Sequence, residues 1–177
     1  MVASSFQPSL AFVWRPENDG QSDHTDPGDS GGETNMGVTI ATWNGAVSRG
    51  LVSGALATAS SDDLALILKV DFWRVVGCDS LPAGDDLAVF NFAMAAGPGT
   101  GARVLQSMLG VGVDGDVGTE TLAAAAKLAP GDLIPKFTAA EETFYAHCAG
   151  APLFLRGWDR RAEDCKALAL QLAGATP

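Results

Sequence analysis

The sequence predicts a mainly α protein, on three observations. Apolar residues recur at helical spacing through most of the chain after residue 38, strict period-two alternation is scarce, and Gly, Pro and capping residues punctuate the helical stretches. The apolar fraction of 47% is ample for a packed core.

Taken in order, the apolar "LAFVW" before Pro16 reads as a helix-like N-terminal segment. It runs into "RPENDGQSDHTDPGDSGGETNMGVT" at 15–39, a polar stretch with almost nothing a core could use. Thr39 can cap a helix through about Arg49, and Ser61 with Asp62 and Asp63 opens another in which Leu64, Ile67, Leu68 and Phe72 share a face. Asp85 to Ala96 forms a helix with scarcely any polar face, which belongs at the centre of a domain, and Gly97 and Pro98 stop it. "GARVLQSMLG" gives a short helix ended by Gly110, and a glycine-rich connection leads to a helix begun near Thr119. Two longer helices follow, Asp132 to about Ala149 and Asp159 to Ala173. No repeat of solenoid period and no low-complexity linker divides the chain.

Charge and cysteine usage narrow the function. A net charge of -10 repels nucleic-acid backbones and anionic bilayers at long range, so neither is an expected partner. The three cysteines, Cys78, Cys148 and Cys165, are widely spaced and odd in number, which predicts neither a disulfide framework nor a CxxC metal pair. The opening "MVASSFQPSLAFVW" lacks a basic n-region and a long apolar h-region, and no stretch reaches the length of a membrane span. The expectation is synthesis in the cytoplasm without a signal peptide and without stable membrane insertion.

Glu17 sits just after the apolar Phe12, Val13 and Trp14. A carboxyl at such an edge loses hydration, its charged form is disfavoured and its pKa rises, which suits a general acid; a solvated loop glutamate is the plain alternative. The following loop supplies Asp23, His24, Asp26, Asp29 and Glu33. "DHTDPGD" lacks both the EF-hand ligand order and an HExxH helix, so no metal is expected. Two readings stay open for these aspartates: a partner carboxylate for glycoside cleavage, or turn formation by Asp-Pro-Gly and Asp-Ser-Gly-Gly. Thr34, Asn35 and Thr39 around Gly37 suit a cleft that binds sugar hydroxyls, and equally a turn and an N-cap. "GPGTGA" at 97–102 lacks the GK[ST] of a phosphate loop, and "DGDVG" at 114–118 lacks the terminal glutamate of a calcium loop; both read as structural. Phe72, Trp73, Tyr145 and Trp158 read as core before sugar-stacking residues.

The whole pattern resembles the glycoside hydrolase family 108 peptidoglycan hydrolases, small phage and prophage endolysins and secretion-associated muramidases. "ENDGQ" at 17–21 and "DSGGETNMGVT" at 29–39 are similar to the family's Glu-Gly-Gly-aromatic and Asp-Pro-Gly-Gly-x-Thr-Asn-x-Gly-hydrophobic-Thr motifs. Downstream, "FWRVVGCDSLPAGDDLAVFNFAMAAGPGTGARVLQSMLGVGVDGDVGTETLAA" and "FLRGWDRR" at 154–161 resemble the family's later motifs, including "LQ…LG…DGxxGxxT" and Phe-x-x-Gly-Trp-x-x-Arg. In three places the chain departs from the family pattern. Asn18-Asp19 stands for the glycine pair, the interval from Glu17 to Asp29 is long, and Phe90 to Gly97 reads "FNFAMAAG" for Phe-Asp-x-Ala-Val-Asn-Ser-Gly.

The resemblance implies a lysozyme-like helical fold with an irregular N-terminal active-site loop. It implies a catalytic part at 1–80 and a peptidoglycan-binding part at 81–177, packed as one globular unit. It also implies an N-acetylmuramidase that cleaves the β-1,4 bond between N-acetylmuramic acid and N-acetylglucosamine. Glu17 falls on the catalytic glutamate, and Asp29, Thr34 and Thr39 on cleft-lining positions, with Asp26 as the neighbouring aspartate. The protein would act as a monomer on peptidoglycan glycan strands without a cofactor, and reach the cell wall through a holin or a secretion system. Two rivals remain: an inactive peptidoglycan-binding or assembly module on the same scaffold, and a zinc amidase or peptidase. Only His24 and His147 are available to the latter as histidine ligands.

Overall fold

The computed structural model describes residues 5–15, 33–129 and 131–174. Among them are eight α-helices and one two-stranded sheet, a mainly α lysozyme-like fold. Helix α1 (Phe6–Val13) lies on the N-terminal side of the polar stretch. On its far side, strands β1 (Thr34–Asn35) and β2 (Val38–Thr39) pair antiparallel, Thr34 opposite Thr39 and Asn35 opposite Val38. Helix α2 (Ile40–Ser48) starts at Thr39, whose hydroxyl accepts from the Thr42 amide at 3.3 Å, and closes at Arg49 as the sequence predicts. A single 3-10 turn at Leu56–Thr58 leads to α3 (Ser61–Ile67).

The cap of α3 is Ser60, one residue before the expected Ser61. Ser60 has the extended backbone a cap requires, and its hydroxyl accepts from the Asp63 amide at 3.1 Å. The helix then widens into a π-helical segment, Leu68–Trp73. The wider turn brings Leu68, Phe72 and Trp73 all into the core, where a regular 3.6-residue period would carry one of them outward.

Helix α4 (Asp85–Ala96) has the predicted bounds and the predicted place. Every residue from Leu87 to Ala93 is buried, and α1, the π-segment, α5 (Pro98–Leu109), α7 (Leu133–Ala146) and α8 (Ala151–Leu172) all pack on it. On one side Phe6, Trp73 and Phe90 meet edge to face or tilted; on the other Phe92 meets Phe137, Phe144 and Tyr145. The aromatic residues Phe72, Trp73 and Tyr145 are therefore core, as read from their spacing. The start of α4 approaches α8 closely: a Cβ at Gly84 would lie 2.2 Å from the Ala169 carbonyl oxygen, so only glycine fits.

Three helix bounds differ from expectation. Helix α5 begins at Pro98, which occupies the first turn where its missing N–H is not needed. Helix α7 ends at Ala146, before His147 and Cys148. Helix α8 starts eight residues before Asp159, again with a proline, Pro152, in its first turn. The short helix α6 (Thr119–Ala125) starts where predicted, and "DGDVG" before it is a hydrogen-bonded turn. The Gln106 side chain donates to the Asp114 carboxylate (2.7 Å) and the Asp116 carbonyl (2.9 Å) and accepts from the Gly115 amide (2.8 Å). The "LQ…DGxxGxxT" pattern is thus a structural knot around one glutamine. The cysteines are unpaired, Cys78 and Cys165 buried.

Candidate active site

The two ends of the polar stretch meet. Trp14, the residue that closes α1, donates its indole N–H to the Met36 carbonyl at 3.1 Å, so chain positions 22 residues apart are held together. Between β1 and β2, Met36 (φ 47°) and Gly37 (φ 83°) both take left-handed backbone, the requirement of a type I′ hairpin turn. That explains the order Thr-Asn-x-Gly-hydrophobic-Thr in physical terms. Asn35 donates from its amide to the Leu56 carbonyl at 3.1 Å and pins the hairpin to the 3-10 turn, while Val38 is fully buried. Gly37 faces the last turn of α4, where a Cβ would come within 2.9 Å of the Met94 methyl.

Of the residues singled out from the sequence, Thr34 and Thr39 face each other across this hairpin. Thr34 is only 8% exposed, and the Thr39 hydroxyl is shared between the Thr42 amide and the Thr42 hydroxyl at 3.1 Å. Glu17, Asp26 and Asp29 lie outside the described residues. Their described flanks are the closing turn of α1 and the start of β1, so the root of the stretch is a small apolar-backed platform made of Trp14, the hairpin and the end of α4.

A second polar constellation, not anticipated from the sequence, lies inside the core. Asn91 of α4 donates to Glu141 Oε1 at 3.3 Å, Tyr145 donates to the same oxygen at 2.9 Å, and Arg161 Nε donates to Asn91 Oδ1 at 2.8 Å. Burial pushes the Glu141 carboxyl up to about 7, partly opposed by the Tyr145 hydrogen bond and the Arg161 charge. This accounts for two motif positions at once: Arg161 ends the Phe-x-x-Gly-Trp-x-x-Arg pattern, and Asn91 stands where the family pattern has aspartate. A signal for it existed, since Phe137, Glu141 and Tyr145 follow one another at four-residue spacing on a single helix face.

At the start of α4, Asp86 caps its own helix by accepting from the Gly84 and Leu87 amides, at 2.9 and 2.7 Å. Burial raises its carboxyl to about 6, and burial together with the charges of Asp86 and Asp132 raises that of Asp85 to about 7. Among the described residues, no group of three or more His, Cys, Asp or Glu side chains is placed to hold a metal, and no helix is long and apolar enough to cross a membrane.

Comparison with known proteins gives this architecture a class. The family model described as Glycosyl hydrolase 108 matches residues 17–97, and that described as Predicted Peptidoglycan domain matches residues 100–163. Among solved structures, Brucella abortus SagA is similar at 31% identity and a TM-score of 0.84, over 96% of this chain and 95% of that chain. No curated protein matches. A helical scaffold carrying these two segments in tandem is that of a glycoside hydrolase acting on peptidoglycan. The chain belongs to the glycosyl hydrolase 108 family.

Proposed function

We propose that the protein is an N-acetylmuramidase that cleaves the β-1,4 bond between N-acetylmuramic acid and N-acetylglucosamine, with Glu17 as general acid. The observation that carries the reading is the Trp14–Met36 hydrogen bond, which joins the two roots of the segment bearing Glu17. Glu17 follows Trp14 by three residues, and covalent geometry keeps their Cα atoms within roughly 11 Å. Its carboxyl protonates the glycosidic oxygen as the C–O bond breaks, and the electron pair of that bond leaves with the departing sugar. The resulting oxocarbenium-like centre is then taken by water. Asp29 or Asp26 serves as the second carboxylate that stabilises this centre or orients the water, and Thr34 and Thr39 line the glycan path. No cofactor takes part.

Residues 1–80 carry the chemistry and 81–177 hold peptidoglycan, the two sharing α4 as common core. The substrate lies in the cell wall, and a holin-type pore or an export system delivers the protein as a phage or prophage endolysin or a secreted hydrolase.

The test is digestion of purified sacculi by the wild type and Glu17→Gln, with mass spectrometry of the released muropeptides. The wild type should release fragments with N-acetylmuramic acid reducing ends, and Glu17→Gln should lose at least about 100-fold in rate, the scale of general-acid catalysis. Full activity in Glu17→Gln would move the acid elsewhere in the stretch. Binding to sacculi without release by either protein would turn the assignment to a binding module.

A further inference from the structure

Helices α5 and α7 do not close on each other along their whole length. Between them lies an open cleft of about 710 Å³ walled by Val104, Met108, Ala140 and Phe144, with Ser107 and His147 at its polar edge. Beyond Met108 a second hollow of about 370 Å³ continues along the end of α5 and carries Lys127 and Lys136. Both lysines are exposed, and neither has an ion-pair partner among the described residues.

In a chain with 21 acidic and 11 basic side chains, two free lysines beside an apolar cleft are a local inversion of sign. Such a surface selects a ligand that is both anionic and aliphatic. A bare glycan strand is a poor match: it presents hydroxyls and asks for many polar partners, whereas the exposed wall of this cleft is mainly apolar, with Ser107, Thr143 and His147 as its polar groups. A short peptide with methyl side chains and free carboxylates matches both halves. Each of the two hollows lies in the range that small ligands occupy.

We propose that the α5–α7 cleft binds the stem peptide of peptidoglycan, its alanyl methyls against Val104, Met108 and Phe144 and its carboxylates on Lys127 and Lys136. The inference rests on the reading of the chain as a peptidoglycan-cleaving enzyme and names a second subsite for that substrate. Met108, unbranched and polarisable, separates the two hollows and can adjust to the peptide that crosses it.

The experiment uses the full chain, the double variant Lys127→Glu/Lys136→Glu and the cleft-filling variant Ala140→Trp. Each is titrated calorimetrically with the tetrapeptide L-Ala-γ-D-Glu-meso-diaminopimelate-D-Ala at low and high salt. Saturable binding by the wild type is expected, weakening with salt, reduced roughly tenfold by the double charge reversal and lost in Ala140→Trp. On stem-bearing glycan the double variant should raise KM and leave kcat alone, with no change on strands stripped of their peptides. Because both lysines are exposed, its thermal midpoint should match the wild type.

No binding of the tetrapeptide, or equal binding by wild type and double variant, overturns the proposal. So does a change in self-association by the cleft variants with peptide affinity intact, which would make this face an interface between copies. Peptide binding that follows the lysines, with no cleavage of either glycan, would sustain the subsite and remove the muramidase reading.

Discussion

Glu141 shows how far a single carboxyl can be moved by its surroundings. It is 2% exposed, accepts hydrogen bonds from Asn91 and Tyr145, and lies near the Arg161 charge, yet burial lifts it from an ordinary value of 4.5 to about 7. Below pH 4.5 the folded and unfolded chains both hold this proton. As pH rises the unfolded chain releases it first, so this group's contribution to stability falls between about 4.5 and about 7 and is absent above. Asp85 and Asp86 act in the same direction. Glu141→Gln, measured by urea unfolding between pH 4.5 and 8, should flatten that decline and gain most relative to wild type at the alkaline end. Each unit of displacement corresponds to about 1.4 kcal/mol. An unchanged slope would show that the carboxyl is ionised in the fold at neutral pH. Such a residue is hard to find by inspection because glutamate on a helix usually faces water; its place in line with Phe137 and Tyr145 is the one sequence signal for it, and the sequence reading did not use it. The dual reading of Thr39 as cleft residue or N-cap was likewise open in the sequence, and its bond to the Thr42 amide is what assigns the capping role.

At the scale of elements, local signals and packing agree in some places and compete in others. Helix α4 was legible from end to end because its cues are self-sufficient: acidic residues at the start, Gly97 and Pro98 at the stop, apolar side chains all round. Helix α8 was not, since Pro152 and Gly157 argue locally against a helix there. The first turns form nonetheless: the Trp158 ring packs tilted against Tyr145 with ring centroids 5.3 Å apart, and Arg161 reaches Asn91 from the same helix. The π-helical segment at Leu68–Trp73 is a similar case of packing overriding a regular period. The junction of α4 with α8 depends on Gly84, whose φ of 92° and closeness to the Ala169 carbonyl both exclude a side chain. Gly84→Ala should therefore cost more than about 1 kcal/mol in chemical denaturation. A neutral result would mean that α8 can slide along α4.

For the whole molecule, the arrangement around α4 decides how the parts cooperate. Elements before residue 80 (α1 and the π-segment) and elements after it (α5, α7 and α8) share this one helix as core. The expected consequence is a single unfolding transition, with far-UV circular dichroism and tryptophan fluorescence coinciding in urea. The fluorescence reports mainly on the first part through Trp14, Trp43 and Trp73, and on the last through Trp158. Two separated transitions would divide the chain into independent domains. The same arrangement places the hairpin against the last turn of α4, so the platform at the two described flanks of the Glu17 segment is built on the most buried helix among the described residues.

Composition, periodicity and punctuation by themselves determined the mainly α class, the central place of α4 and, through motif order, the family. These are properties of short stretches, where each residue's preference acts within a few positions. Tertiary structure alone decided the meeting of Trp14 with Met36, the burial of Glu141 between Asn91, Tyr145 and Arg161, and the open cleft between α5 and α7. Each joins residues far apart in the chain, and whether a polar group there is desolvated or a groove left open depends on how helices pack, which no local pattern encodes.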